Sequence, residues 1–156
     1  MATALRSTRV VLDASAFIRG VDSEARDERA RLWLEAIADA RLGASGPDVF
    51  LLEVANTLAT FVRAGRFDRD AAEDALGLAL SLGLGVASAR ELAFEVLAAV
   101  LDTGLSAYDA SYLVVAEQSD AMLVTADRRL AAACPRSALL PDAGPEDLFG
   151  LPGQGD

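Results

Sequence analysis

Residues 10–18 read VVLDASAFI, a short apolar run that ends in an aspartate. Three consecutive large apolar residues before Asp13 are typical of a strand buried on both faces, as strands of a parallel sheet are. Residues 121–127, AMLVTAD, show a similar pattern, with Asp127 just beyond the apolar run. Because sites in open α/β sheets form at the carboxyl ends of the strands, both aspartates are predicted to lie at a functional edge.

Around these two segments, short apolar runs alternate with longer stretches of helical periodicity. Strands are predicted at 10–12, 42–45, 85–88, 121–124 and 138–140, and helices at 24–41, 47–64, 68–82, 90–101, 106–118 and 127–133. Pro47 is expected in the first turn of its helix and Gly65 just beyond the end. In the first helix the residues expected to face the core are Leu32, Trp33, Ala36, Ile37 and Ala40. This alternation predicts a three-layer α/β/α sandwich with a mainly parallel sheet.

The chain length of 156 residues fits one domain, predicted at 1–149, followed by a flexible tail rich in Gly and Pro at 150–156. No apolar run reaches the roughly 18–20 residues that span a bilayer. The first nine residues, MATALRSTR, lack the apolar stretch of a secretory signal. With Cys134 as the single cysteine, no intrachain disulfide can form, and a cytoplasmic location is expected.

Two residue types are missing from the sequence. There is no histidine, which excludes Ser-His-Asp triads and histidine metal sites, and all 14 basic residues are arginine, which excludes lysine chemistry. Cys134, with no histidine to activate it, is expected to be inert. Any catalysis must therefore use carboxylates, hydroxyls, arginines or a metal ion. The net charge of −10 argues against general affinity for nucleic acid.

Four carboxylates are candidates for function, and each also has a structural interpretation. Asp13 and Asp127 could each cap the helix that follows. Glu53 shares a stripe with Asn56, Thr57 and Thr60 on a helix expected to be mostly buried, and that stripe could face either water or a polar cleft. Asp109 could complete a capping box with Ser106. However, its helical neighbours Tyr112, Leu113 and Ala116 are apolar, whereas Ser111 and Gln118 form the expected polar side, and a carboxylate among apolar neighbours needs a partner.

Two of these carboxylates follow strands and two lie on helices, and this arrangement is compatible with one acidic cluster. Like charges a few ångströms apart resist common ionisation, and a divalent cation relieves this repulsion. Oxygen ligands without nitrogen or sulfur favour Mg²⁺ or Mn²⁺. Such an ion can activate a water molecule and stabilise the charge of a phosphoryl displacement.

The segments VVLDASAFI, LLEVANTL, GLSAYDASYLVVAE and LVTADRRL resemble, in order and spacing, the four acidic motifs of PIN domains, most closely those of VapC-type toxins of toxin–antitoxin modules. The resemblance covers about Arg9 to Leu140. It implies a five-stranded parallel sheet in order 3-2-1-4-5. It also implies Mg²⁺ or Mn²⁺ held by Asp13, Glu53, Asp109 and Asp127, with Ser15 and Thr125 supporting the site and Asn56 close by.

By the same resemblance, the chain is expected to be an endoribonuclease that cleaves RNA phosphodiester bonds. It is further expected to form a homodimer and to be inhibited by a small antitoxin whose tail occupies the acidic cleft. Because the chain remains acidic without its site carboxylates, contacts with RNA phosphates must be local. Arg19, Arg128 and Arg129 are candidates for them, although each could equally be an ordinary surface arginine.

Two other classes of protein stay open. A phosphoacceptor signalling domain also has an aspartate after its first strand, but it relies on a lysine that this chain lacks. A haloacid-dehalogenase-like phosphatase needs a second aspartate at position 15, where this chain has Ser15. The remaining alternative is a catalytically idle PIN fold that acts as a binding module.

Overall fold

The computed structural model describes residues 9–150, and over this range the chain forms one five-stranded parallel sheet flanked by helices. The strands are β1 Arg9–Leu12, β2 Gly43–Pro47, β3 Gly85–Ala87, β4 Met122–Thr125 and β5 Ser137–Leu139. Their order is β3-β2-β1-β4-β5, and every neighbouring pair is parallel. The predicted sheet order is therefore confirmed. The flexible tail predicted at 150–156 lies, beyond Gly150, outside the described residues.

Eight helices connect and cover these strands within the described range. They are α1 Ala14–Val21, α2 Glu28–Ala38, α3 Phe50–Arg63, α4 Arg69–Ser81, α5 Ala89–Thr103, α6 Ala107–Ser119, α7 Arg128–Ala133 and α8 Pro145–Phe149. Asp68 caps α4 through its side chain, and Gly65 follows α3 with a φ of 71°, as predicted. Two helices, α1 and α8, were not predicted.

The prediction of one helix over 24–41 was wrong at both ends. α2 covers only Glu28–Ala38 of that range, and the segment that joins it to the preceding α1 holds Asp22 and Asp27, both buried. Asp13 stands at the N-cap position of α1, but its side chain makes no capping hydrogen bond to this helix. Ala40 lies beyond α2 with a φ of 55° and is exposed. Trp33, Ala36 and Ile37 are buried as predicted, whereas Leu34 is buried in the place expected for Leu32.

Pro47 does not begin a helix but ends β2, where it is paired in register with Ala87 of β3. α3 begins three residues later, and only Phe50, Val54 and Leu58 along it are buried. The expectation of a mostly buried α3 was therefore wrong, and Leu52 is 69% exposed. The other apolar residues of α3 are partly buried.

α6 is the central helix of one layer, packed between α5 and the sheet. Residues 110–116 of this helix are all buried, so no polar side exists along this stretch. Ser111, expected on a polar side, is buried and donates its hydroxyl to the Tyr108 carbonyl. The helix brings Asp109, in its first turn, and Tyr112, one turn later, toward the carboxyl edge of the sheet.

Candidate active site

Asp13 stands at the end of the central strand β1 and directly before α1. The residue is 5% exposed, and its Oδ2 accepts hydrogen bonds from the hydroxyls of Ser15 and, at 2.7 Å, Thr125. Ser15 in turn accepts the backbone N–H of Ala126 at 2.9 Å. The Asp13 side chain makes no capping bond to α1, so the capping interpretation was wrong for this residue. Its carboxylate is held instead by hydroxyls from α1 and from the neighbouring strand β4.

Asp127 is the N-cap of α7, as the structural interpretation predicted. Its Oδ1 accepts the backbone N–H groups of Arg129 at 2.8 Å and of Leu130 at 3.1 Å. Its own backbone N–H donates to the Thr125 hydroxyl at 2.9 Å. Thr125 is 0% exposed and therefore links Asp13 to Asp127 from beneath the surface. Capping uses only one of the two carboxylate oxygens of Asp127.

Glu53 lies in the first turn of α3 and is partly buried. Its Oε2 accepts a hydrogen bond from the Tyr112 hydroxyl at 2.5 Å. The sequence analysis did not identify Tyr112 as a site residue. The signal was present, because a tyrosine buried on a central helix needs a polar partner for its hydroxyl.

Asp109 lies in the first turn of α6 and is partly exposed. The Ser106 hydroxyl caps the helix by accepting the Asp109 backbone N–H at 3.1 Å, but the Ser106 backbone N–H does not donate to the Asp109 carboxylate. The capping box is therefore half formed, and the carboxylate has no hydrogen-bond partner among residues 9–150. The positive end of the helix dipole stabilises a negative charge at this position.

The four carboxylates interact electrostatically, which shows that they share one region. Burial raises the pKa of Asp13; hydrogen bonds from Ser15 and Thr125 oppose this, and the charges of Asp109 and Asp127 add to it. Burial also raises the pKa of Glu53, and the charges of Asp13 and Asp109 raise it further against the hydrogen bond from Tyr112. No arginine in the described range forms an ion pair with any of the four. The cluster is thus an uncompensated concentration of negative charge.

The hydrogen bonds follow one pattern across the cluster. Asp13, Glu53 and Asp127 each have one oxygen held by hydroxyl or amide donors, and the other oxygen has no hydrogen bond within the described residues. None of these free oxygens is both buried and unsatisfied, so each reaches solvent.

Carboxylates with one free oxygen suit an oxygen-coordinated cation such as Mg²⁺ or Mn²⁺. In the described part of the chain, no three acidic side chains are arranged to hold one ion directly. Since Mg²⁺ usually keeps several of its waters, direct contact with every carboxylate is not required.

The other candidate residues lie at different distances from this chemistry. Asn56 is exposed one turn beyond Glu53, and its side chain makes no hydrogen bond within residues 9–150. Arg128 and Arg129 are exposed beside Asp127, and Arg129 also donates to the Gly104 carbonyl at 3.5 Å.

Two other residues discussed from the sequence have roles outside the carboxylate cluster. Arg19 donates to the buried Asp27 at 2.7 Å, which ties α1 to the start of α2. Cys134 is buried, and burial raises its pKa, which disfavours the reactive thiolate.

The sequence profile of the PIN domain matches residues 10–134, which include all four carboxylates. The chain belongs to the PIN-domain family. A crystal structure of PAE2754 from Pyrobaculum aerophilum is similar to it, with 32% sequence identity, a TM-score of 0.64, and coverage of 84% of this chain and 83% of that chain. No curated protein sequence matches the chain.

As a PIN domain, the chain is related to proteins that are commonly nucleases, act on nucleic acids and generally use divalent metal ions. The observed strand order also separates it from phosphoacceptor domains, whose sheet has the order 2-1-3-4-5. None of the helices between residues 9 and 150 is long and apolar enough to cross a membrane.

Proposed function

We propose that this PIN domain is an endoribonuclease that depends on Mg²⁺ or Mn²⁺ and cleaves RNA phosphodiester bonds. One observation carries the proposal: four carboxylates meet at one edge of the sheet without an arginine partner, and three of them have one oxygen fixed and one free. This arrangement concentrates negative charge where a cation relieves it. Asp13, Glu53, Asp109 and Asp127 would hold the ion.

Each residue has a separate part in this proposal. Asp13 is the most buried carboxylate, and the hydroxyls of Ser15 and Thr125 fix its direction. The Asp109 carboxylate makes no hydrogen bond within the described range, so it can turn toward an ion or a water molecule without losing one. A bound divalent ion supplies a water of lowered pKa and stabilises the charge that develops on the phosphate.

The RNA partner has to be bound locally, since the chain has a net charge of −10. Arg128 and Arg129 are exposed on the first turn of α7, beside Asp127, where they can pair with phosphates of a bound strand. Arg19 is a weaker candidate because its guanidinium is engaged by Asp27. We therefore expect recognition of one folded or looped RNA with little affinity for random duplex.

The test is cleavage of a panel of structured RNAs with Mg²⁺ or Mn²⁺, with and without excess chelator. Asp109→Asn should abolish cleavage while the chain stays folded, as circular dichroism checks, because the carboxylate makes no hydrogen bond within residues 9–150. Asp102→Asn, on the exposed side of α5, is the matched control and should cleave like the unaltered chain. Full activity in excess chelator, or in Asp109→Asn, would refute the proposal. Stoichiometric Mn²⁺ binding without cleavage of any RNA would favour an idle binding module.

A homodimer and an inhibitory antitoxin complete the proposal. On α5 the side chains of Phe94, Leu97 and Leu101, spaced three and four residues apart, are 88%, 55% and 76% exposed, and this apolar helix side is the surface proposed to pack against a second copy. The uncompensated acidic edge suits a basic segment of a small antitoxin protein. Light scattering should give a dimer for the unaltered chain and a monomer for Phe94→Glu, and a monomer in both samples would contradict the dimer.

A cytoplasmic location remains part of the proposal, in keeping with the free buried thiol of Cys134.

A further inference from the structure

Tyr112 has an environment that core packing alone does not explain. Its side chain is 0% exposed, yet its hydroxyl donates to Oε2 of Glu53, and the backbone amide of Ala14 interacts with the same hydroxyl. Burial and the neighbouring carboxylate raise the pKa of Tyr112, so the hydroxyl keeps its proton and acts as a donor. The Tyr112 hydroxyl thus contacts two elements that carry or adjoin the four carboxylates: α3 through Glu53, and the start of α1 through Ala14.

This hydrogen bond joins two helices that otherwise share little packing. α3 packs chiefly against α1 and α4, while α6 packs chiefly against α5 and the sheet. Glu53 is the only one of the four carboxylates on α3, and this hydrogen bond ties its side chain directly to α6, which carries Asp109. A hydrogen bond to a charged carboxylate is about twice as strong as one between neutral groups. The Tyr112 hydroxyl is the sole hydrogen-bond donor to the Glu53 carboxylate within residues 9–150.

We propose that Tyr112 is a positioning residue of the metal site: its hydroxyl fixes Oε2 of Glu53 so that Oε1 faces the other carboxylates. Because the side chain is fully buried, it touches neither ion nor RNA and acts only through Glu53. The inference rests on the proposed function, since it concerns the ion that the four carboxylates would hold. Partners of this kind, which orient a metal ligand, typically change metal affinity by about 10- to 100-fold.

The test is Mn²⁺ binding by titration calorimetry, with no RNA present. Tyr112→Phe removes only the hydroxyl and should weaken Mn²⁺ binding about tenfold. Tyr108→Phe is the matched control, because the other tyrosine of the chain lies one turn earlier on the same helix, is 61% exposed and donates no hydrogen bond among residues 9–150. It should bind Mn²⁺ within twofold of the unaltered chain. Circular dichroism establishes that both variants are folded at the assay temperature. Equal affinity of Tyr112→Phe and the unaltered chain would overturn the inference.

A second background separates positioning through Glu53 from a general structural effect. Glu53→Asp keeps a carboxylate but withdraws it from the tyrosine by one methylene group. In that background Tyr112→Phe should change Mn²⁺ affinity by less than twofold, and another tenfold loss would overturn the inference. In RNA cleavage, Tyr112→Phe should raise the Mn²⁺ concentration for half-maximal rate about tenfold and recover most of its rate at saturating Mn²⁺.

The result also distinguishes this inference from the proposed function. A chain that binds Mn²⁺ through Tyr112-dependent geometry but cleaves no RNA supports the positioning role and contradicts the ribonuclease proposal. Metal-dependent RNA cleavage that Tyr112→Phe leaves unchanged supports the ribonuclease proposal and contradicts the positioning role. Absence of Mn²⁺ binding in the unaltered chain contradicts both.

Discussion

Replacing Thr125 by valine tests the link between the two strand-end aspartates. The residue is 0% exposed, and its hydroxyl both donates to Asp13 Oδ2 at 2.7 Å and accepts the Asp127 backbone N–H at 2.9 Å. Valine has nearly the same shape but can do neither. The change therefore removes two hydrogen bonds at once without opening a cavity.

The expected cost follows from those two bonds. A hydrogen bond to a charged group contributes about 1.5–3 kcal/mol net, and a buried backbone N–H left without a partner costs about 1–3 kcal/mol. Ser15 still donates to Asp13 and offsets part of the loss, so we expect about 2–4 kcal/mol in the free energy of unfolding. For a domain of this size that corresponds to a fall in melting temperature of about 4–16 °C.

Two measurements check this prediction. Urea denaturation in excess chelator should give the stated loss in unfolding free energy for Thr125→Val. Thr60→Val is the control, because Thr60 is exposed and its hydroxyl donates only to a carbonyl of its own helix; its unfolding free energy should stay within about 0.5 kcal/mol of the unaltered chain. The acid limb of the cleavage pH profile should also move to higher pH, because the lost donor lets the pKa of Asp13 rise further and a protonated carboxyl does not bind metal. An unfolding free energy within 0.5 kcal/mol of the unaltered chain would show that this network does not hold Asp13.

Further predictions concern charge, metal and packing. In chelator at pH 7.5, Asp13→Asn should melt at a higher temperature than the unaltered chain. The native pKa of Asp13 is raised, so the native state holds more protons than the unfolded state and the unfolding free energy falls as pH rises through that pKa. The advantage should vanish on acidification, and a lower melting temperature at pH 7.5 would contradict this reasoning. Mn²⁺ at a hundred times its dissociation constant should stabilise the unaltered chain by about 2.7 kcal/mol but not Asp13→Asn, as measured by thermal melts. Gly20→Ala should destabilise by about 1–3 kcal/mol, because its Cβ would lie 2.5 Å from Leu34 Cδ1 and 3.1 Å from the Ala30 carbonyl. Gly77→Ala, whose Cβ meets nothing within 4 Å on exposed α4, should stabilise by about 0.5–1 kcal/mol in the same urea series.

The sheet could be predicted from sequence because its signals are local. Val10, Val11 and Leu12 form an apolar run typical of a strand buried on both faces, and the alternation of such runs with helical stretches implies parallel pairing. The helices that escaped prediction depend on tertiary contacts instead. α8 has five residues, and its Phe149 packs edge-on against Trp33, whose indole N–H donates to the Ala143 carbonyl at 2.9 Å. Neither contact leaves a periodic pattern.

For the candidate site, the sequence indicated which residues to consider but not what holds them. Asp13 and Asp127 have the same sequence position, after a strand and before a helix, yet only Asp127 caps its helix. The difference arises because hydroxyls of Ser15 and Thr125 converge on Asp13 from two elements far apart in sequence. The partner of Tyr112 could not be identified for the same reason, because Glu53 lies 59 residues away. Pairings across the fold of this kind cannot be derived from spacing along one helix.

The absence of arginine from the described carboxylate cluster has a physical consequence for the proposed function. Arginine pairing would stabilise the metal-free fold, but a bidentate guanidinium would occupy both oxygens of a carboxylate and compete with a cation for them. Hydroxyl and amide donors fix one oxygen and leave the other free, as at Asp13, Glu53 and Asp127. Burial is the main cause of the raised pKa values of Asp13 and Glu53, and the uncompensated charges of the neighbouring carboxylates raise both further. An arginine introduced beside Glu53 should therefore raise the melting temperature in chelator and weaken Mn²⁺ binding together, since both effects arise from the same free oxygens.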